Sequence, residues 1–119
     1  MSTFEEAAGA AREVRVVVAS GGQEVRTPIW VVTVGPFAYV RSYRGATGRW
    51  YRYASASSSF AIEIGDDDVV VQHVPVTDPV TLEQVSAAYL TKYAGESETP
   101  DMVTPEVVAT TLRLVPIDR

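Results

Sequence analysis

Five arginines lie in a stretch of the chain that contains no acidic residue. The stretch runs from Val25 to Ile62, and it also holds eight of the eleven aromatic residues. Outside it there are fifteen acidic but only five basic residues, so the remainder has a net charge of −10 although the whole chain has −5. This separation of charge favours binding of an anionic group against aromatic rings. The five arginines are Arg26, Arg41, Arg44, Arg49 and Arg52.

Arg41 is the residue that we predict to bind the anion. Residues 37–43 are expected to form a strand, in which Arg41 lies on one face whereas Ser42 and Arg44 lie on the other. A guanidinium can hold a phosphate or a carboxylate through two parallel hydrogen bonds. Arg44 would then point to solvent or to a partner subunit.

The loop that follows offers backbone groups for the same purpose. Arg44-Gly45-Ala46-Thr47-Gly48-Arg49 places two glycines between two arginines, and its backbone amides can cradle an anion. It is not a P-loop, because the lysine and the second-glycine spacing are missing. Trp50 and Tyr51 add flat surfaces for a ring system. Successive residues cannot both face the same way, so we expect at least one of the two in the core.

Other reactive residue types are poorly placed for catalysis. His73 is the only histidine, and Ser57 to Ser59 lack the glycines of a nucleophile elbow, so the pattern argues against a serine triad and favours a structural histidine. Asp66 to Asp68 lack the spaced ligands of a calcium loop and indicate a solvated turn. Cysteine is absent, which excludes disulfides and thiol chemistry. We therefore assign no catalytic residue and no metal ligand.

Strand patterns dominate the rest of the chain. The helices expected are a short one ending near Arg12, a turn from Arg49 to Ala56, and a longer one from Asp78-Pro79 to about Tyr93. The second predicted strand, Val25–Val34, is apolar on both faces, which is typical of a strand covered on both sides. The pattern predicts a mainly β fold, a six-stranded antiparallel β-barrel with peripheral helices. The six predicted strands are Val14–Ala19, Val25–Val34, Phe37–Tyr43, Phe60–Ile64, Val69–Val76 and Thr110–Val115.

Length and composition are those of one globular domain, residues 1–119. Hydrophobic residues make up 46% and charged residues 21% of the chain. No apolar run approaches the roughly 18 to 20 residues that span a bilayer, and Met1 to Glu6 lack the features of a signal peptide. We therefore expect a cytoplasmic protein without a membrane partner. The net negative charge argues against nucleic acid as a ligand.

Four segments resemble an uncharacterised bacterial family that is known only as a domain of unknown function: Arg26–Val32, Tyr39–Ser42, Gly48–Arg52 and Thr110–Pro116. The succession of a Thr-Pro-Ile-Trp strand and a Tyr-Val-Arg-Ser strand is also similar to the split β-barrels of the pyridoxamine phosphate oxidase-like superfamily, which bind flavins or deazaflavins. This resemblance implies a split barrel and a homodimer with cofactor sites between the subunits.

The resemblance also implies which residues contact a cofactor, FMN or a deazaflavin. The strand from Arg26 to Trp30 would lie along the ring, and Arg41 and Ser42 would hold the phosphate. Hydride chemistry would then belong to the cofactor, and the protein would supply orientation. The candidate cofactor-binding residues are Arg26, Pro28, Ile29, Trp30, Arg41, Ser42, Arg44, Arg49, Trp50 and Tyr51.

A second class of function remains open. Ser20 to Glu24 replace the basic Gly-Arg-Lys-Ser-Gly turn of many deazaflavin-dependent reductases, and the chain contains no asparagine. The same surface of arginines and aromatic rings would also suit a non-catalytic module that binds a small anionic ligand or a partner protein. Binding of FMN or a deazaflavin by the purified protein would distinguish the two classes.

Overall fold

Within residues 3–117, seven antiparallel strands form one curled sheet, a half-barrel with helices around it. The structure is a computed structural model in which residues 3–117 are described. The sheet confirms the predicted mainly β fold, with seven strands where the sequence indicated six. The strands are β1 (Val14–Ser20), β2 (Gln23–Ile29), β3 (Val31–Val34), β4 (Phe37–Val40), β5 (Ser59–Ile64), β6 (Asp67–Pro75) and β7 (Leu112–Pro116), in the order β2-β1-β5-β6-β7-β4-β3.

The additional strand arises because the predicted strand Val25–Val34 is divided at Trp30. β2 ends at Ile29 and β3 begins at Val31, yet β2 and β3 lie at opposite edges of the sheet. A single residue therefore joins the two edges, which requires the sheet to curl until they meet. The backbone N–H of Val31 donates to Tyr93 Oη at 3.1 Å instead of to a neighbouring strand, so the ladder is interrupted here.

The first and third helices begin at residues whose side chains cap them. Thr3 Oγ1 accepts from the backbone N–H of Glu6 at 3.0 Å, and Asp78 Oδ2 accepts from that of Thr81 at 2.9 Å. No helix within residues 3–117 is long and apolar enough to cross a lipid bilayer. The helices are α1 (Phe4–Ala10), α2 (Arg49–Ala56), α3 (Pro79–Lys92) and α4 (Pro105–Val108), with 3-10 turns at Gly45–Thr47 and Thr99–Val103.

The sheet packs on both faces. Val16, Val40, Ile62 and Leu114 lie in the larger cluster inside the curl, with α1 and α2. On the other face, α3 buries a smaller cluster whose members include Val32, Tyr39, Val85, Tyr89 and Tyr93. Residues 29 to 34 contribute to both clusters, as their two apolar faces predict. The predicted helix from Asp78-Pro79 to about Tyr93 is confirmed as α3, which buries Val85 and Tyr89, and Tyr93 just beyond its end is also fully buried.

Candidate functional site

A cleft of about 610 Å³ opens where the two edges of the sheet meet, beside the start of α2. It brings together eight of the ten predicted cofactor-binding residues from three separate parts of the chain. The residues that line it are Glu13, Thr27, Pro28, Ile29, Trp30, Arg41, Ser42, Tyr43, Arg44, Gly48, Arg49, Trp50, Glu98 and Met102. Arg26 and Tyr51 are the two predicted residues that do not line it.

The junction between β2 and β3 supplies an aromatic wall. The half-buried indole of Trp30 stacks on the ring of Tyr93, with centroids 4.0 Å apart and planes 4° from parallel. Two side chains of α3 and the residue that follows it fix this backbone: Tyr89 Oη donates to Trp30 O at 3.4 Å, Lys92 Nζ to Val31 O at 2.7 Å, and Tyr93 Oη accepts from Val31 N. The wall is therefore held in place by the helix behind it.

In the same cleft, Ser42 and Gly48 form a notch at the start of α2. Ser42 is 1% exposed, and its Oγ has no hydrogen-bond partner among residues 3–117. A Cβ at position 48 would overlap Ser42 Oγ, so only glycine lets the two segments approach this closely. No side chain caps α2, whose first turn begins at Arg49. The first backbone N–H groups of a helix have no partner within it and carry partial positive charge, which suits an anion.

Arg44 and Arg49 border this Ser42–Gly48 notch with exposed side chains. Neither guanidinium forms an ion pair within the described part of the chain, residues 3–117. Two cations, an unpartnered hydroxyl and an uncapped helix start thus line the same part of the cleft. The available backbone N–H groups are those of the first turn of α2, because in the predicted loop cradle the amides of Gly45 and Gly48 already donate to Ser42 O at 2.9 Å and to Gly45 O at 3.1 Å.

Arg41 lies in the cleft wall, but its donors are already in use. Nε donates to Thr111 Oγ1 at 2.8 Å, Nη1 to Ser86 Oγ and to Met102 O, both at 2.9 Å, and Nη2 to Leu82 O at 3.0 Å. The side chain is 1% exposed, and burial lowers the pKa of its guanidinium. All four acceptors are neutral, so the charge of Arg41 is not compensated by them. An anion in the cleft would supply that compensation.

Arg26 lies outside the cleft. Its guanidinium pairs with Glu24 at 2.8 Å and with Glu63 and Asp68 at 2.9 Å each. These bonds raise the pKa of Arg26, and the bond from Arg26 holds the pKa of Asp68 below its usual value. Glu24 and Glu63 are the two acids that bound the acid-free stretch of the sequence. Folding brings both of them to its first arginine, which is therefore neutralised by the protein itself.

Trp50 and Tyr51 face different ways, as expected for successive residues. Trp50 is 6% exposed and belongs to the core cluster while lining the cleft, and Tyr51 packs against that cluster at its side. Their rings meet edge to face, with centroids 5.9 Å apart. His73 lies on β6, away from the cleft-lining residues, and its Nε2 is 2.7 Å from Ser57 O at the end of α2. Because a carbonyl only accepts, the ring donates from Nε2.

Glu13 and Glu98 are cleft residues that sequence reasoning did not find. Both lie outside the acid-free stretch, in segments that precede β1 and follow α3. No local pattern marks them, because their proximity to the cleft depends on contacts between residues more than 80 positions apart, such as Arg12 with Glu96. Within residues 3–117, no group of three His, Asp or Glu side chains is arranged to hold a metal ion.

Solved structures share this fold. The chain is similar to HutZ, the heme storage protein from Vibrio cholerae, with a TM-score of 0.68, 11% identity and coverage of 98% of this chain and 89% of that one. An FAD-binding protein from Mesorhizobium loti has a TM-score of 0.61 and 18% identity, with coverage of 99% of this chain and 91% of that one. An F420 reductase has a TM-score of 0.61 and 13% identity, with coverage of 99% of this chain and 96% of that one.

These likenesses establish the fold, which is that of the pyridoxamine phosphate oxidase-like split barrels, as the sequence indicated. At such low identity they do not show which ligand this chain binds, and the three proteins are named for three different ligands. No curated protein matches the sequence. Residues 6–114 match the family described as "Uncharacterized protein conserved in bacteria (DUF2255)", and the chain belongs to that family.

Proposed function

We propose that the cleft binds a flavin-type cofactor, FMN or a deazaflavin, and that the protein is a redox protein of the split-barrel type. The observation that carries this proposal is the unpartnered, buried Ser42 Oγ beside the uncapped start of α2, in the same cleft as an aromatic wall. A phosphate needs several donors at one point, and an isoalloxazine-type ring needs a flat apolar surface nearby. The cleft offers both.

Each part of the cleft would have its own task. Ser42 Oγ, the N–H groups at the start of α2 and the guanidinium of Arg49 would hold the phosphate, with Arg44 at the same end. Pro28, Ile29 and Trp30 would position the ring. Arg41 would contribute positive charge from within the wall, although its donors are occupied. The cofactor, when bound, supplies hydride transfer, and the chain's residues supply binding and orientation.

The names of two structural neighbours support the choice of ligand. One is an FAD-binding protein and another an F420 reductase, and both superpose over nearly the whole chain. A third stores heme, so heme is the comparison ligand that a test must include. Among the cleft residues no histidine is present that could bind heme iron, which favours a flavin-type ring for this chain.

Titration of the purified protein with FMN, with F420 and with heme tests the proposal. We expect one of the two flavin-type ligands to bind, and Arg49→Ala to weaken that binding by about 1.5 to 3 kcal/mol, the range for hydrogen bonds to a charged group. Arg52→Ala is the matched control, because Arg52 is exposed on the same helix but does not line the cleft. A protein that binds neither flavin-type ligand would be the non-catalytic module of our alternative interpretation.

A further inference from the structure

Lys92 is the only lysine of the chain. Its side chain is half-buried at the end of α3, and it forms no ion pair with any residue of the range 3–117. Nζ donates to Val31 O at 2.7 Å and to Ala8 O at 3.0 Å, so the amine joins α1 to the junction beside Trp30. Lys92 does not line the cleft, so the proposed function gives its amine no chemical role.

The contacts of Nζ suit a neutral amine. An ammonium group has three N–H donors, whereas a neutral amine has two donors and a lone pair. The two backbone carbonyls match the two N–H groups of the neutral form and leave its lone pair free. Within residues 3–117, no carboxylate is paired with the charge of the ammonium form. A lysine that is desolvated, or that lies beside another cation, is a nucleophile because it loses its proton easily.

A second cation lies beside Lys92. The guanidinium carbon of Arg12 is 4.6 Å and Nζ of Lys92 is 5.4 Å from the ring centroid of Tyr93, so two positive groups lie close to one ring. Arg12 Nη1 also donates to the backbone oxygen of Lys92 at 2.8 Å. Burial, and then the charge of Arg12, lower the pKa of Lys92 to about 8. About a quarter of Lys92 is then neutral at about pH 7.5, against about one in a thousand for an ordinary lysine.

The charges around the amine select the kind of electrophile. Glu96 pairs with Arg12 at 2.7 Å, and the charge of Glu13 adds to burial in raising the pKa of Tyr93, but neither acid pairs with Lys92. An electrophile that leaves an anion on Nζ would turn two neighbouring cations into a pair of opposite charges. Space is limited, because Nζ lies between two backbone carbonyls and an aromatic ring. A small electrophile that yields an anion is therefore favoured, and carbon dioxide is such a molecule.

We propose that Lys92 is a modification site at which carbon dioxide adds to Nζ and forms a carbamate. The lone pair of Nζ attacks the carbon, one electron pair of a C=O bond moves to its oxygen, and one N–H proton leaves to solvent. No oxidant or reductant is needed. Nζ then keeps one N–H and one of its two carbonyl partners, and Val31 O can give up this donor because Tyr93 Oη lies 3.1 Å from it. This inference goes beyond the proposed function and does not depend on it.

Chemical trapping in the wild-type protein tests the proposal. The protein is equilibrated with ¹³C-labelled bicarbonate near neutral pH, and alkylation with triethyloxonium converts any carbamate into a stable ester that peptide mass spectrometry locates. Since the chain has a single lysine, the N-terminal amine is the only other amine that can carry the label. We expect the label on Lys92, with an occupancy that increases with pH at a constant partial pressure of carbon dioxide. A label confined to the N-terminal amine would overturn the proposal.

Three variants examine the site by ¹³C NMR. Lys92→Arg keeps a positive charge and donors for both carbonyls but cannot form the carbamate, so the signal of Lys92 should be lost. Arg12→Gln should shift the pH profile of occupancy to higher pH, because it removes the neighbouring cation. Arg15→Gln is its matched control, since Arg15 is exposed on β1. A spectrum unchanged in Lys92→Arg would refute the assignment, and the cofactor test is unaffected because no flavin is present.

Discussion

Trp30 and Tyr93 stack face to face across the junction of two strands, with ring centroids 4.0 Å apart. The hydroxyl of the same tyrosine accepts from Val31 N and lies 3.1 Å from Val31 O and 3.0 Å from Arg12 O. Tyr93 therefore supports the cleft wall through its ring and the junction between β2 and β3 through its hydroxyl. Replacement of its ring and removal of its hydroxyl should have separable effects.

Tyr93→Phe keeps the stacking surface but leaves the buried N–H of Val31 without its acceptor. We expect the free energy of unfolding to fall by about 1 to 3 kcal/mol, the cost of an unsatisfied buried donor. Cofactor binding should survive in the folded fraction, because the indole keeps its support. Chemical denaturation and flavin titration of the same variant measure the two effects. Unchanged stability would show that the hydroxyl does not hold the junction.

Trp30→Ala should lose the cofactor, since it removes the ring wall, whereas His73→Gln should keep cofactor binding and most of any reductase activity. His73 lies away from the cleft residues, and a glutamine amide can replace its bond to Ser57 O. Flavin fluorescence and a steady-state reductase assay compare the two variants. Lost activity in His73→Gln with the cofactor still bound would instead indicate a general base.

Arg41→Ala should destabilise the whole protein. It leaves acceptors from α3, from a 3-10 turn and from Thr111 without their donor and removes a buried side chain, and we expect a loss of about 2 to 4 kcal/mol. Arg41→Lys keeps the charge but cannot make four divergent hydrogen bonds. Our expectation that Arg41 binds the anion directly stays a prediction, and calorimetry on a folded Arg41→Lys protein beside Arg49→Ala would rank the two arginines.

Gly48→Ala should be rescued by a second substitution. The new methyl would overlap Ser42 Oγ, and overpacking of this kind costs about 1 to 3 kcal/mol. Ser42→Ala removes the overlapping oxygen, so the double variant should recover most of the stability but not the phosphate affinity. A double-mutant cycle of thermal unfolding measures the coupling. Additive effects of the two substitutions would show that the notch is not closely packed.

Arg26 and Asp68 provide a pH test. The bond from Arg26 lowers the pKa of Asp68, so the pair contributes stability above the usual carboxyl value of 3.8 that is lost as the pH falls through the lower folded value. In Arg26→Gln, the pKa of Asp68 should rise toward its usual value. Carboxyl carbon shifts in an NMR titration report it directly. Flavin affinity should be unchanged in this variant, because Arg26 lies outside the cleft.

We expect the homodimer that the resemblance implies. Trp50 is only 6% exposed in the single chain and needs no partner to cover it. Tyr43 and Tyr53 are 49% and 38% exposed, and a partner subunit would cover them. Light scattering at micromolar concentration should give twice the chain mass of 12.9 kDa. A monomer mass would refute the expectation, and Tyr43→Arg should shift the equilibrium toward monomer.

Sequence patterns within one segment predicted the helices and strands that depend on interactions within that segment. Asp78-Pro79 was sufficient to predict the start of α3, and the predicted strand Phe60–Ile64 differs from β5 by one residue. The division at Trp30 could not be predicted, because it depends on a tyrosine 62 residues away from Val31. The sequence likewise could not show that Arg26 lies outside the cleft, since its partners Glu63 and Asp68 are 37 and 42 residues away. Eight of ten candidate residues nevertheless meet in the cleft, where glycines and arginines cluster in the sequence.

The position of β7 has a consequence for folding during synthesis. Of the seven strands, this one is the last to leave the ribosome, yet it pairs with both β6 and β4 in the middle of the sheet. Until it emerges, β2-β1-β5-β6 and β4-β3 are two pieces without strand pairing between them, joined through Trp30 and through residues 41–58. Pairings over such sequence distances form slowly. The nascent chain must therefore keep two strand edges exposed until β7 is made, and loss of residues 112–116 would leave them exposed.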